Sequence, residues 1–155
     1  MKIRILANIR CGGEYFTKSL SKTYGLKYYH EPKRIIDKDD SVVKYITYDR
    51  EWYDFEYLTK LISDSTHVFL LDRKNKEDQI DSCLRLYSDN QDRSFWESSL
   101  LKQSEILKSV SEKLNIPITY YEDLYYNTDS VDLQGLTFVP DLDKKQYKPT
   151  TKKLI

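Results

Sequence analysis

The sequence has little glycine, proline or cysteine, and these low counts exclude some classes of protein. Among 155 residues there are four glycines, four prolines and two cysteines. The cysteines, Cys11 and Cys83, are too few and too far apart for a disulfide framework or a C-x-x-C metal site. No apolar stretch approaches the length of a membrane span, and residues 1–10 are too short and too charged for a signal peptide. We therefore expect a cytoplasmic protein in a reducing compartment, with no metal site and no membrane contact.

An excess of either charge is also missing. Twenty-five Lys and Arg residues balance twenty-five Asp and Glu residues, and the isoelectric point is near 6.7. A protein that binds nucleic acid mainly by electrostatics usually shows a basic excess, so we expect no nucleic-acid partner. The length fits a single domain spanning residues 1–155, with a polar C-terminal tail at about 141–155.

Short apolar runs alternate with stretches of helical periodicity. Strands are predicted at 3–6, 27–29, 42–48, 67–71 and 117–121, and helices at about 15–24, 51–63, 76–88 and 94–115. Asn75 is predicted to cap the third helix, and Ser94 with Glu97 forms a capping-box pattern at the fourth. Beyond these, Gly135, Leu136 and Phe138 predict one small packed element. The alternation favours an α/β three-layer sandwich around a mostly parallel sheet of about four to five strands.

Two of the four glycines, Gly12 and Gly13, lie side by side between the first strand and the first helix. A strand, a glycine loop and a helix N-terminus are the usual parts of a phosphate site, because backbone N–H groups then point at the anion. Arg10 adds a planar cation to the loop. The alternative is an ordinary βα turn that contains Gly-Gly, since the G-x-x-x-x-G-K-[ST] motif is missing. A second alternative is a thiol-reactive site, because a cysteine at a helix N-terminus, here Cys11, can have a lowered pKa.

A second basic turn, Asp72 to Asn75, follows the predicted strand at 67–71. Ligands of parallel sheets bind beyond the carboxyl ends of the strands. Both turns are therefore expected at the same edge of the sheet, which strengthens the prediction of an anion site.

Four segments resemble, in the same order, the sulfotransferases that use 3′-phosphoadenosine 5′-phosphosulfate (PAPS). They are the loop Arg10-Cys11-Gly12-Gly13-Glu14-Tyr15, the tripeptide His30-Glu31-Pro32, the strand Val68 to Arg73 followed by Gln79 and Ser82, and the segment Tyr121-Glu122-Asp123-Leu124, which is similar to a strand end of the family. The match spans residues 1 to about 137, with gaps. It implies a P-loop NTPase-like sulfotransferase fold. It also implies transfer of a sulfuryl group from PAPS to a hydroxyl acceptor, for example on a carbohydrate, with release of the bisphosphate PAP.

The resemblance also implies roles for individual residues. The phosphosulfate would be held by Arg10 and by the backbone N–H groups of Cys11, Gly12, Gly13, Glu14 and Tyr15. Arg73 and Ser82 would bind the 3′-phosphate. Glu31 would be the base for the acceptor hydroxyl, with His30 sharing that role and Arg10 assisting the transfer. The family's mechanism uses no metal.

Two positions in the loop depart from the family. Glu14 stands where a threonine is usual, and Gly13 replaces a residue with a hydroxyl. A carboxylate facing a bound dianion at ~5 Å costs roughly 3 kcal/mol for each like-charge pair at an effective dielectric of ~20. One alternative is that Glu14 takes the place of the anion at the helix start and excludes the phosphate. The other, which we expect because first-turn acids are common in helices, is that Glu14 points outward. Ser82 also lies one residue farther from Arg73 than is usual. The alternatives are a catalytically degenerate sulfotransferase-like fold that serves as a nucleotide-binding or interaction module, and a small P-loop kinase, which the missing motif disfavours.

Overall fold

Five parallel strands form the central sheet. The computed structural model describes residues 1–32, 36–47, 59–60, 62–63, 65–87, 91–126 and 131–138. The strands are β1 (Lys2–Ala7), β2 (Lys27–His30), β3 (Ser41–Ile46), β4 (His67–Asp72) and β5 (Ile118–Tyr120). They lie in the order β2-β3-β1-β4-β5, and each neighbouring pair is parallel. The prediction of an α/β fold with a mostly parallel sheet is confirmed.

The helices are α1 (Gly13–Tyr24), α2 (Lys76–Leu86), α3 (Arg93–Leu114) and the short α4 (Tyr121–Tyr125). Residues 59–60 and 62–63 are also helical, whereas residues 51–58 of the helix predicted there, and the predicted tail at 141–155, lie outside the described residues. No helix in the described ranges is long and apolar enough to cross a membrane.

The sheet has a buried core on each face. Alternation along β1 sends Ile3 and Ile5 to one face and Leu6 to the other. On the first face these isoleucines pack with Phe16 of α1, and on the second Leu6 packs with Leu107 of α3. Both faces of the sheet are therefore covered by helices, which explains why the strands read as apolar runs.

A two-stranded antiparallel hairpin, β6 (Val131–Leu133) and β7 (Leu136–Phe138), completes the first core. Phe138 is buried and its ring lies 5.0 Å from that of Phe16. Gly135 has a left-handed φ of 81° in the turn. The small packed element predicted around these residues is therefore this hairpin.

Of the two caps predicted from the sequence, one is observed and one is not. Gly25 ends α1 with a left-handed φ of 63°, and the Asn75 side chain accepts a hydrogen bond from the Asp78 N–H at 3.0 Å at the start of α2. The predicted Ser94–Glu97 capping box is wrong. Asp92 caps α3 instead, because its extended backbone lets its carboxylate accept from the Phe95 N–H at 2.9 Å, and Ser94 already lies within the helix.

Candidate functional site

The two basic turns meet at the carboxyl edge of the sheet, as predicted. Gln79 of α2 donates to the Ile9 carbonyl at 2.6 Å, and Arg73 donates to the Arg10 carbonyl at 3.3 Å. Below them, Asn8 donates to the buried Asp72 carboxylate at 2.9 Å. These bonds join the β1–α1 loop to the β4–α2 turn, so the two turns form one surface.

A pocket of about 520 Å³ opens on this surface. Of the ten site residues predicted from the sequence, nine line it: Arg10, Gly12, Gly13, Glu14, Tyr15, His30, Glu31, Arg73 and Ser82. The tenth, Cys11, is buried in the core beneath the loop. The structure therefore brings the predicted segments together around one pocket, with the Cys11 side chain turned into the core.

The loop presents the start of α1 to the pocket. Gly12 has a left-handed φ of 79°, and α1 begins at Gly13. The N–H groups of the first helical turn have no intrahelical acceptor, and the macrodipole makes this end of the helix positive. The Tyr125 hydroxyl donates to the Gly12 carbonyl at 2.6 Å. A Cβ at Gly12 would lie 2.4 Å from the Tyr125 ring, so this position requires glycine.

Lys44 is a pocket residue that the sequence did not predict. It lies on β3, the strand beside β1, and its side chain is only 9% exposed. A Cβ at Gly13 would lie 3.0 Å from Lys44 Cε and from the Ala7 Cβ, so a larger residue at this position would require these neighbours to shift by a few tenths of an ångström. The available signal was a lone lysine inside the apolar strand Ser41–Ile46, since an unpaired buried charge is costly.

Glu31 pairs with this lysine at the end of β2. Glu31 Oε1 accepts from Lys44 Nζ at 3.0 Å, and Glu31 Oε2 lies 3.3 Å from His30 Nε2. The backbone of Glu31 is left-handed, with φ 47°, and its N–H donates to the Lys44 carbonyl at 2.9 Å. His30 in turn contacts the Tyr28 hydroxyl through Nδ1, at 2.5 Å. The carboxylate is thus held between a buried lysine and an imidazole at the pocket wall.

Arg73 is held rigidly on the other side of the loop. Its side chain is buried over the Tyr121 ring, with the guanidinium carbon 3.9 Å from the ring centroid. Its Nη2 lies 3.5 Å from the fully buried Asp78 carboxylate. Arg10, more exposed, donates from Nε to the Ser82 hydroxyl at 2.8 Å. The pair expected to bind the 3′-phosphate thus lies at the pocket, with Arg73 partly neutralised and Ser82 bonded to Arg10.

Glu14 points away from the loop. Its side chain is 55% exposed and forms an ion pair with Lys18, one turn along α1, at 2.8 Å. The hydrogen bond from Lys18 lowers the pKa of the Glu14 carboxyl, so it is charged at neutral pH. The outward orientation expected from the sequence is therefore observed, with Glu14 at the rim of the pocket.

The thiol-reactive alternative is wrong for the described structure. Burial raises the pKa of the Cys11 thiol to about 12, against the opposing effects of the Lys44 charge and the Gly13 N–H. Because the nucleophile is the thiolate, this cysteine stays protonated and unreactive at neutral pH.

The segment Tyr121–Tyr125, expected as a strand end, is the short helix α4. The strand stops at Tyr120, where pairing with Asp72 of β4 ends. The Glu122 side chain then accepts from the N–H groups of Lys74 and Asn75, at 2.8 and 2.9 Å. The Glu122 carboxylate therefore holds the β4–α2 turn in place through these two hydrogen bonds. The role of Glu122 is structural.

No family model, curated protein or solved structure matches this chain. Its chemistry must be argued from the pocket itself. Five lining side chains are cationic (Arg10, Lys18, Lys44, Arg73 and Arg85) and two are carboxylates (Glu14 and Glu31). In the described ranges, no three His, Cys, Asp or Glu side chains are grouped as a metal site would need. A mainly cationic pocket at a helix N-terminus is the arrangement expected of an anion site.

Proposed function

We propose that the pocket binds PAPS and that the protein transfers the sulfuryl group to a hydroxyl acceptor, as a small, divergent sulfotransferase with a P-loop NTPase-like fold. The observation that carries the proposal is the meeting of the α1 start, Lys44 and Glu31 with Arg73 and Ser82 in one pocket. The first three lie on the side of β1, β2 and β3, and the last two on the side of β4 and α2. In the proposal, the α1 start and Lys44 take the 5′-phosphosulfate, and Arg73 and Ser82 take the 3′-phosphate.

The charges of the pocket favour such a donor. Lys44 is desolvated, and a desolvated cation attracts an anion more strongly than a solvated one does. The helix start adds backbone dipoles that need no reorganisation when charge develops on the leaving phosphate. Glu14 lies at the rim of the pocket, where its exposure and its ion pair with Lys18 weaken its repulsion of a bound dianion.

In the proposed reaction the acceptor oxygen attacks the sulfur of PAPS, forming a new S–O bond. The bond between sulfur and the bridging phosphate oxygen breaks, and its electron pair stays on the nucleotide, which leaves as PAP. Lys44 and the α1 N-terminus stabilise that negative charge. The proton of the acceptor hydroxyl goes to the Glu31 carboxylate, which lines the pocket beside the α1 start. Positioning supplies the remaining rate enhancement.

One observation favours a second candidate, a nucleotide-binding module without turnover. Both oxygens of Glu31 already have partners, Lys44 and His30. A carboxylate held in this way would bind the acceptor or exclude it, without taking its proton. Binding and turnover therefore need separate measurements.

The binding test is a thermal-shift titration with adenosine 3′,5′-bisphosphate beside ATP–Mg²⁺. A ligand that binds only the folded state raises its stability, by about 2.7 kcal/mol at 100 times the Kd. We expect a saturable rise in Tm with the bisphosphate, weakened by Arg10→Gln. Arg93→Gln is the matched control, because Arg93 pairs with Asp81 outside the pocket. No shift at millimolar bisphosphate contradicts the proposal, and a larger shift with ATP–Mg²⁺ supports the kinase alternative.

Turnover is measured as release of the bisphosphate from PAPS in the presence of hydroxyl acceptors. Release that depends on an acceptor supports the transferase. A thermal shift without release supports the binding module.

A further inference from the structure

We propose that Tyr28 is a positioning residue that fixes the tautomer of His30, and that His30 thereby orients the Glu31 carboxylate toward the acceptor. This inference rests on the proposed function, because it assigns roles around the base of that reaction. It is carried by an unbroken line of contacts: Tyr28 Oη to His30 Nδ1 at 2.5 Å, His30 Nε2 to Glu31 Oε2 at 3.3 Å, and Glu31 Oε1 to Lys44 Nζ at 3.0 Å.

The local backbone explains how these groups meet. Tyr28 and His30 are two residues apart on β2, so their side chains project from the same face of the strand. Their rings pack edge to face with centroids 5.8 Å apart. Glu31 follows with a left-handed φ of 47°, which ends the strand and breaks the alternation that would otherwise send its side chain to the other face. Non-glycine residues in this conformation are strained, and such strain concentrates at functional sites.

The Tyr28 hydroxyl is available as a proton donor to His30 Nδ1, which lies 2.5 Å away. Burial, followed by the charges of Glu14 and Glu31, raises the pKa of the Tyr28 hydroxyl, so it keeps its proton throughout the neutral range. A neutral imidazole has one N–H and one acceptor nitrogen. A carboxylate oxygen can only accept, so the contact between His30 Nε2 and Glu31 Oε2 places the imidazole proton on Nε2 and leaves Nδ1 as the acceptor to which Tyr28 donates.

The Nε2–H then donates to Glu31 Oε2, while Lys44 donates to Oε1. Each carboxylate oxygen has about two lone-pair sites, so Glu31 keeps acceptor capacity for the proton of the incoming hydroxyl. These two donors fix the orientation of the Glu31 carboxylate. A general base needs a fixed orientation, because it must lie within hydrogen-bond reach of the proton that it removes. Tyr28 acts through His30 and touches no reacting atom.

The test is nitrogen-15 NMR of the imidazoles at about pH 8.5, above the ordinary histidine pKa of about 6.5. The chain has two histidines, so a His67→Gln background leaves His30 as the single signal. We expect the proton on Nε2 alone. In Tyr28→Phe, His30 should return to the mixture of tautomers of a solvated imidazole. Tyr29→Phe is the matched control and should leave the signal unchanged, because Tyr29 packs against the other core, near Lys27.

A measurement of turnover distinguishes a positioning role of Tyr28 from a purely structural role. Release of bisphosphate from PAPS should fall about tenfold in Tyr28→Phe, less than the about 10²–10⁴-fold loss expected for Glu31→Gln, because an orienting partner contributes less than the base itself. The thermal shift with bisphosphate should be unchanged in Tyr28→Phe. A proton on Nδ1 in the wild type, an unaltered tautomer in Tyr28→Phe, or unaltered turnover in that variant would each overturn the inference. If instead the bisphosphate fails to bind while the Nε2–H tautomer is found, the proposed function fails and the contact geometry stands.

Discussion

Glu31 is hydrogen-bonded to Lys44 through both its backbone and its side chain. Its backbone N–H donates to the Lys44 carbonyl at 2.9 Å, and its Oε1 accepts from Lys44 Nζ at 3.0 Å. The backbone bond continues the pairing of β2 with β3 by one residue, so the sheet itself sets the position of the carboxylate. The lysine is desolvated and the carboxylate is one-third exposed. Glu31 is therefore the counter-ion of a buried cation that the pocket also needs for an anionic ligand.

Glu31→Gln should separate these two roles. The variant leaves Lys44 without its charged partner, which should lower the free energy of unfolding by about 1–3 kcal/mol. It also removes a negative charge from the pocket, so binding of adenosine 3′,5′-bisphosphate should tighten about tenfold, or ~1.4 kcal/mol. Urea unfolding and calorimetric titration measure the two effects.

The matched control for that variant is Glu14→Gln. The exposed Glu14–Lys18 pair contributes at most about 1 kcal/mol, so unfolding should change little and bisphosphate affinity by less than about threefold, following a ΔΔG below ~0.7 kcal/mol. Equal tightening in both variants would show that Glu14 faces the ligand as closely as Glu31 does.

Gly12→Ala should be the more damaging of two glycine substitutions. Gly12 and Gly25 both have left-handed φ angles, 79° and 63°. A Cβ at Gly25 meets nothing within 4 Å, whereas one at Gly12 would lie 2.4 Å from the Tyr125 ring. Gly25→Ala should therefore lower the free energy of unfolding by only about 1–2 kcal/mol, which is the cost of placing a Cβ on a left-handed backbone. Gly12→Ala should lose more and should also displace the Tyr125 hydroxyl from the Gly12 carbonyl.

Urea unfolding of the two glycine variants compares the losses directly. Bisphosphate binding should fall in Gly12→Ala and stay unchanged in Gly25→Ala, because only the first lies in the pocket loop. Equal losses of stability would contradict the close contact with Tyr125.

Neither cysteine should react in the native protein. Burial raises the pKa of Cys11 to about 12 and that of Cys83 to about 11. A disulfide reagent at about pH 8 should therefore release no thiol signal until denaturant is added, when two thiols should appear. Rapid labelling of one thiol in the folded protein would contradict the buried position of the loop cysteine.

Cys11 should also contribute to loss of stability in alkali. Its folded-state pKa lies above its ordinary value of about 9, so the folded protein holds this proton after the unfolded chain has released it. Its contribution is complete below about pH 9 and is lost progressively as pH rises toward about 12. Cys11→Ala should therefore show a shallower fall in the free energy of unfolding over that window than the wild type, measured by urea unfolding at several pH values.

The sequence predicted the fold better than the details of the site. The sequence pattern located every strand of the described sheet. The inner strands β1 and β4 are short, largely apolar runs because they are buried on both faces, whereas the edge strand β2 was located from its tyrosines, Tyr28 and Tyr29. Lys44 was missed because a strand position does not reveal which neighbouring element its side chain crosses. That information comes from the β1–β3 register and the absence of a side chain at Gly13. The thiol-reactive alternative for Cys11 is wrong for a similar reason, since a place in a loop before a helix does not determine whether a side chain faces solvent or core.

Glu122 offers a further test of what fixes the β4–α2 turn that presents Arg73. Its two carboxylate oxygens accept from the Lys74 and Asn75 N–H groups. Glu122→Gln replaces one acceptor oxygen with an N–H₂ group that faces a backbone donor, and should lower the free energy of unfolding by about 1–2 kcal/mol. Asp123→Asn is the control, because its exposed carboxylate lies 3.8 Å from Lys74 and should contribute less than about 0.5 kcal/mol. If both variants unfold at the same urea concentration, the Glu122 carboxylate is not what holds the turn. If Glu122→Gln is destabilised and also weakens bisphosphate binding, then the geometry of this turn, as well as the charge of Arg73, determines the anion affinity of the pocket.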